Sequence, residues 1–196
     1  MSDLVVIVGP PAAGKAAVGH AVVQLTGYRL FHNHLTAEPA AALFGWGTPR
    51  QEAFATEIRL LAFSRLLENP KSLGTIFTFV WCFDLPADND FIAEVVRLFE
   101  SKKHKVFFIE LLASLESRIA REGTPLRLSL KPSKHDVKRA RALHREREGK
   151  YQMNSEGKFP YPERHSIIDT DIHTPEEAAK MIVERFGLTQ TKKGSA

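Results

Sequence analysis

One cysteine, Cys82, stands among 196 residues, so no internal disulfide can form and the chain fits a reducing compartment. Long hydrophobic runs are missing too. No stretch approaches the roughly 20 apolar residues of a membrane span, and the short VVIV stretch at residues 5–8 has no basic segment before it, as a secretory signal would require. There is no internal repeat and no low-complexity linker. These absences lead us to expect a soluble, cytoplasmic chain with one domain over residues 1–188 and a frayed tail at 189–196.

Charge of one sign is scarce overall, with 27 Lys and Arg against 23 Asp and Glu. It is unevenly placed. Residues 131–150 hold eight basic and three acidic side chains, a local +5, which leaves 19 basic and 20 acidic elsewhere. Such a segment suits a phosphate-bearing partner or forms a solvated helix face. It lacks the aromatic interleaving of RNA-binding surfaces, so nucleic acid is not an expected partner.

The pattern that is present alternates strand and helix. Leu4–Val8 is apolar on both faces, as in a central parallel strand. A helix is predicted from about Gly14 to Thr26, with Val18, Ala21, Val22 and Leu25 inward and Gly27 as its stop. Residues 28–32 read as a second strand. Thr48-Pro49-Arg50-Gln51 opens a helix running to about Glu68, with Phe54, Ile58 and Leu61 on one face. TIFTFVWCF, 75–83, reads as a third strand, in which Trp81 and Phe83 belong to the core or line an acceptor pocket. A helix follows with Phe91, Ile92, Val95, Leu98 and Phe99 inward, then a strand at 106–111 and a helix from Ser114 carrying Arg118 and Arg121. Residues 123–164 are irregular and highly charged, and are expected to form a mobile lid. His165–Thr170 is a fifth strand, and Thr174-Pro175-Glu176-Glu177 opens the last helix, ending at Gly187. Five such alternations predict a three-layer α/β/α fold on a parallel sheet, with ligands at the carboxyl ends of the strands.

GPPAAGKA, residues 9–16, lies between the first strand and first helix. Gly9, Pro10, Pro11, Ala12, Ala13, Gly14 and Lys15 match G-x-x-x-x-G-K, a phosphate-binding loop in its confirming context. Glycines let consecutive N–H groups turn into one concavity, the helix start adds its positive dipole end, and Lys15 adds a point charge. What the motif lacks is its usual hydroxyl: Ala16, followed by Ala17, stands where Ser or Thr normally holds magnesium. Phosphate contacts survive that change, so a nucleoside di- or triphosphate remains the expected ligand, with Mg²⁺ held by phosphates and water.

GPPAAGK, LESRIAREGTPLR at 115–127 and IIDTD at 167–171 together resemble the P-loop kinases of small molecules: shikimate kinase, gluconate kinase, nucleoside monophosphate kinases and antibiotic phosphotransferases. The resemblance implies a five-stranded sheet ordered 2-3-1-4-5. It also implies ATP as phosphoryl donor and a small-molecule hydroxyl as acceptor. Arg118, Arg121 and Arg127 become arginines that close over the phosphates, and Asp169 and Thr170 lie in a turn against the base. His32 and His34, flanking Asn33 at the second strand's end, stand where related kinases carry Asp-x-Asp; a neutral histidine can take an acceptor proton. Asp84 either caps a helix or stands behind a metal-bound water. SKHD at 133–136 only loosely echoes the guanine-reading motif, which favours ATP over GTP. An ATPase or switch without an acceptor, and a degenerate binding module acting through a partner, share the same loop and stay open.

Overall fold

The computed structural model describes residues 3–68, 73–124, 128 and 136–188. The elements are β1 (Asp3–Val8), α1 (Lys15–Thr26), β2 (Arg29–His32), α2 (His34–Phe44), α3 (Pro49–Leu67), β3 (Gly74–Thr78), α4 (Pro86–Ser101), β4 (Val106–Leu112), α5 (Leu115–Ala120), α6 (Val137–Glu148), a 3-10 turn (Pro162–Arg164), β5 (His165–Asp169) and α7 (Pro175–Phe186). All strand pairs are parallel and the order is β2-β3-β1-β4-β5, as expected. Alternate residues of the sheet feed two cores. Leu4, Val6, Val8, Phe77 and Phe108 meet α3 and α4 on one face through Phe63, Ile92, Val95 and Phe99. Val5, Ile7, Ile76, Ile109 and Leu111 meet α1 and α7 on the other through Val18, Val22, Ala178 and Ile182. No helix among the described residues is long and apolar enough to cross a membrane.

Several sequence expectations need correction. β3 stops at Thr78, five residues short of Phe83. The Phe79 amide still bonds the Ile7 carbonyl, but β1 then turns into the glycine loop and β2 ends at His32, so residues 80–83 have no strand beside them. Trp81 is buried, donates to Asn89 and stacks on Phe83; both rings are core. In α3 the inward residues are Gln51, Ala55, Arg59 and Phe63, whereas Leu61 is exposed. The Thr48 cap is present, but the Gln51 amide oxygen accepts from Gly47 rather than from Thr48, so the expected reciprocal box closes one residue early. Helix α2 was missing from the sequence reading because Pro39 sits inside it. Proline removes one helical bond, to the Leu35 carbonyl four residues back, and Leu35 lies on the exposed side, where water can satisfy it.

The 123–164 segment divides in two. Met153, Ser155 and Phe159 are buried, and Phe159 joins the core beneath α4. Glu110, on β4, accepts the Ser155 amide at 2.7 Å, the Ser155 hydroxyl at 2.7 Å and the Asn154 amide at 2.9 Å, and lies 3.0 Å from His165 Nε2. Asn154 also reaches the Leu111 carbonyl. By contrast, α6 attaches to α5 through charge. Glu148 pairs with Arg118, and His144 Nε2 meets Glu122 Oε1 at 2.5 Å with both side chains buried. Asp136 caps α6 by accepting the Arg139 amide.

Burial pushes the Glu110 carboxyl up, but the bonds from His165, Ser155 and Asn154 outweigh it and hold the group at about 2. A depressed carboxyl contributes stability that is complete above its unfolded value near 4.5 and is lost as pH falls from there through about 2. We expect Glu110→Gln to cost about 3 kcal/mol at neutral pH. That loss corresponds to a fall in Tm of about 6–12 °C for a chain of this size. Thermal melts of the two proteins across pH 7 to 2 should converge at the acid end; parallel curves would refute the assignment.

Candidate functional site

The glycine loop joins the end of β1 to the start of α1 at the carboxyl edge of the sheet. Three residues take positive φ: Gly9 at 132°, Ala12 at 63° and Gly14 at 91°. A Cβ on Gly9 would stand 2.5 Å from the backbone oxygen of Leu111, so only glycine fits there. Ala12 accepts a conformation that costs an alanine about 1–2 kcal/mol. Such strain persists only where surrounding structure imposes it, and it clusters at binding loops. The Ala13 amide bonds the Pro10 carbonyl and turns the loop back on itself around Pro11.

Lys15, the first residue of α1, is buried. Its ammonium lies 2.5 Å from the Gly9 carbonyl and 2.7 Å from the Pro10 carbonyl, folded over the loop it follows. Gly14 caps α1 with no side chain, so no side-chain oxygen occupies the helix N-terminus. The first-turn amides of a helix, here those around Lys15, Ala16 and Ala17, have no partner in the helix itself. Backbone donors, a dipole end and an ammonium in one place suit an anion.

The loop is braced from β5. Thr170 Oγ1 stands 3.1 Å from the Ala13 carbonyl and 3.0 Å from the Leu112 carbonyl, so one hydroxyl hydrogen serves the pair. Arg121, just past α5, donates to Thr170 Oγ1 at 2.9 Å, to the Thr170 carbonyl at 2.7 Å and to Asp171 Oδ1 at 3.1 Å. Asp169 accepts the Asp171 amide and shapes the same turn. Burial raises the Asp171 carboxyl, but bonds from Ser114 and Ser117 and the Arg121 charge outweigh it and hold it below its usual range. The structure thus brings together the glycine loop, Lys15, Arg121, Asp169 and Thr170.

Other expected residues stand apart. Arg118 is 2% exposed, donates to the Ala113 carbonyl and pairs with Glu148; it ties α5 to α6. Arg127 lies outside the described residues, as do residues 133–135 of the SKHD stretch. Asp84 is exposed and accepts the Gln152 amide at 3.0 Å, next to the Phe83 amide bond to the Gln152 carbonyl. It staples the 150s loop to the end of the β3 path.

His32 is buried at the end of β2 opposite Thr78, and the Thr78 hydroxyl accepts the Asn33 amide. His34 does not close the strand; it opens α2, and its Nδ1 lies 2.9 Å from Glu38 Oε1, one turn along. The Trp46 ring centre is 5.9 Å from the imidazole. Glu38 Oε1 can accept a proton from Nδ1, and in the neutral imidazole that tautomer makes Nε2 the acceptor nitrogen. The sequence reading missed Glu38. Its signal was there, a His and a Glu four apart, but four apart means contact only on a helix.

No protein-family model matches this chain, and no curated protein matches it. Solved structures do. The adenylylsulfate (APS) kinase of Mycobacterium tuberculosis, in complex with AMPPNP and APS, superposes with a TM-score of 0.60 at 15% identity, covering 95% of this chain and 98% of that one. The tunicamycin resistance protein of Deinococcus radiodurans gives 0.59 at 18% identity, with 98% and 99% covered. A gluconokinase from Sinorhizobium meliloti 1021 gives 0.53 at 15%, with 94% and 93% covered. The fold resembles that of the P-loop kinases. These likenesses cover 94–98% of this chain and concern its fold. Identities of this size carry the architecture and no particular substrate.

Proposed function

We propose that this protein is a kinase that transfers the γ-phosphoryl group of ATP to a hydroxyl of a small molecule. The observation that carries the reading is the position of Lys15, folded over a strained glycine loop at an uncapped helix N-terminus, with Arg121 braced onto the same loop through Thr170. Loop amides and Lys15 would bind the phosphates, the ammonium leaving the Gly9 and Pro10 carbonyls to do so. Arg121 would face charge that spreads over the transferring group. The turn at Asp169 and Thr170 would lie beside the base. His34, oriented by Glu38, would accept the acceptor's hydroxyl proton at Nε2, with His32 beneath it at the strand end.

Magnesium is the ion that such a donor would bring. The chain offers it little: Ala16 has no side-chain oxygen, one Asp84 oxygen holds Gln152, and no group of three metal-ligating side chains exists among the described residues. The described residues therefore form no magnesium cradle of side chains, and the ion would be held by phosphate oxygens and water. Incubation of the protein with labelled ATP and a metabolite pool tests the reading. A labelled small-molecule product supports it. Release of free phosphate without any product would favour the ATPase alternative.

We also propose that α6, not the whole of 123–164, closes over bound nucleotide. The support is that α6 is joined to α5 by ion pairs, whereas 153–159 is packed on β4. Hydrogen exchange with an ATP analogue should slow over 137–148 and leave 153–159 unchanged. Protection confined to 153–159 would refute this division.

A further inference from the structure

Helix α2 turns one apolar side to water. Leu35, Pro39, Ala42 and Leu43 fall within about 100° of its circumference, and all four are exposed. Trp46 continues beyond the helix end; Leu35 is 51% exposed, Leu43 68% and Trp46 51%. The opposite side is ordinary core, with Thr36, Ala37, Ala40 and Ala41 buried. No charged residue interrupts the stripe. With Phe44, it leaves roughly 400–500 Å² of apolar side chain in water, the size of the largest patch on a typical monomer, which is often functional.

We infer that this face of α2 is the contact between two copies of the chain. Two copies joined there bury up to about 800–1,000 Å² of apolar surface from the stripe alone, most of the ~1,200 Å² at which specific interfaces begin. The shape also suits a two-fold axis. Small residues, Pro39 and Ala42, sit mid-stripe between larger ones at either end, Leu35 and Leu43. In an antiparallel pairing Leu35 of one copy meets Leu43 of the other, and the small centre lets the helix axes approach to about 8 Å. A charged partner would find nothing in the stripe to pair with. A lipid surface would need basic flanks, but the polar neighbours on one flank, His34 and Glu38, are paired with each other.

Sedimentation or light scattering of the full chain at micromolar concentration tests this without nucleotide or acceptor, and so independently of the kinase reading. The expected mass is twice the 22.0 kDa of the chain. Leu43→Glu should return it to the monomer with an unchanged circular dichroism spectrum, while Met181→Glu, at an exposed residue of α7, should not. Leu43→Ser serves if the glutamate variant does not fold. Pro39→Cys, which lies on that two-fold, should cross-link as a covalent dimer under mild oxidant, where the wild type, whose Cys82 is buried, does not. A monomeric wild type, or a dimer that survives both Leu43 variants, overturns the inference.

Discussion

Replacing Lys15 with alanine should weaken ATP binding roughly 100-fold, since a charge-assisted bond from a buried ammonium contributes about 1.5–3 kcal/mol. The fold should survive. Lys15 lies at the open end of α1, and its ammonium bonds the carbonyls of the loop itself, at Gly9 and Pro10. The apolar side of α1, Val18 and Val22, is untouched. Calorimetric titration of ATP and a thermal melt separate the two effects. Lost binding with a melting point within a few degrees of the wild type is the expected pair. Undiminished affinity would sink the phosphate-loop reading, and Lys15→Met, which keeps the stem, would show whether packing rather than charge was removed.

Loss of His34 should act on the other half of the reaction. Removing a positioned general base costs about 10²–10⁴ in rate. On the acceptor found by the labelling screen, His34→Ala should lower kcat by that factor and leave ATP affinity alone. Glu38→Gln should give a smaller fall in kcat with little change in KM, because a glutamine amide can donate to Nδ1 and turn the lone pair away from the acceptor. A purely structural His34 predicts the reverse: lowered melting temperature and unchanged kcat in the protein that remains folded. If His34→Ala is fully active, His32 becomes the base to test.

The loop at 9–15 and the alternation of strands and helices were legible because both are local. An apolar run, a glycine spacing and a capped helix each announce themselves within ten residues. The same holds for the last helix, where Thr174 and Glu177 close a reciprocal cap. What could not be read was what distant segments do to one another. β3 runs as far as its neighbours accompany it, and TIFTFVWCF carries no mark of where β1 turns away. Arg59, a charged residue of α3, is buried against the Phe79 and Phe91 rings, and burial lowers its pKa. Arg118 and Arg121 look alike three residues apart, one on α5 and one just past its end. One turns inward to Glu148, the other outward to Thr170, and only the packed α6 and β5 distinguish them.

The end of β4 has a role that none of its residues shows singly. Glu110 holds residues 154 and 155, the Leu111 backbone oxygen presses on Gly9 and accepts from Asn154, and the Leu112 carbonyl takes the Thr170 hydroxyl. Three consecutive residues are thus a common abutment for the glycine loop, the 150s loop and the turn after β5. Changes made in those three segments meet on one piece of backbone, so their energies should not add. A variant library of this protein will mislead if Gly9, Asn154 and Thr170 are scored as separate sites, because by construction they share a foundation.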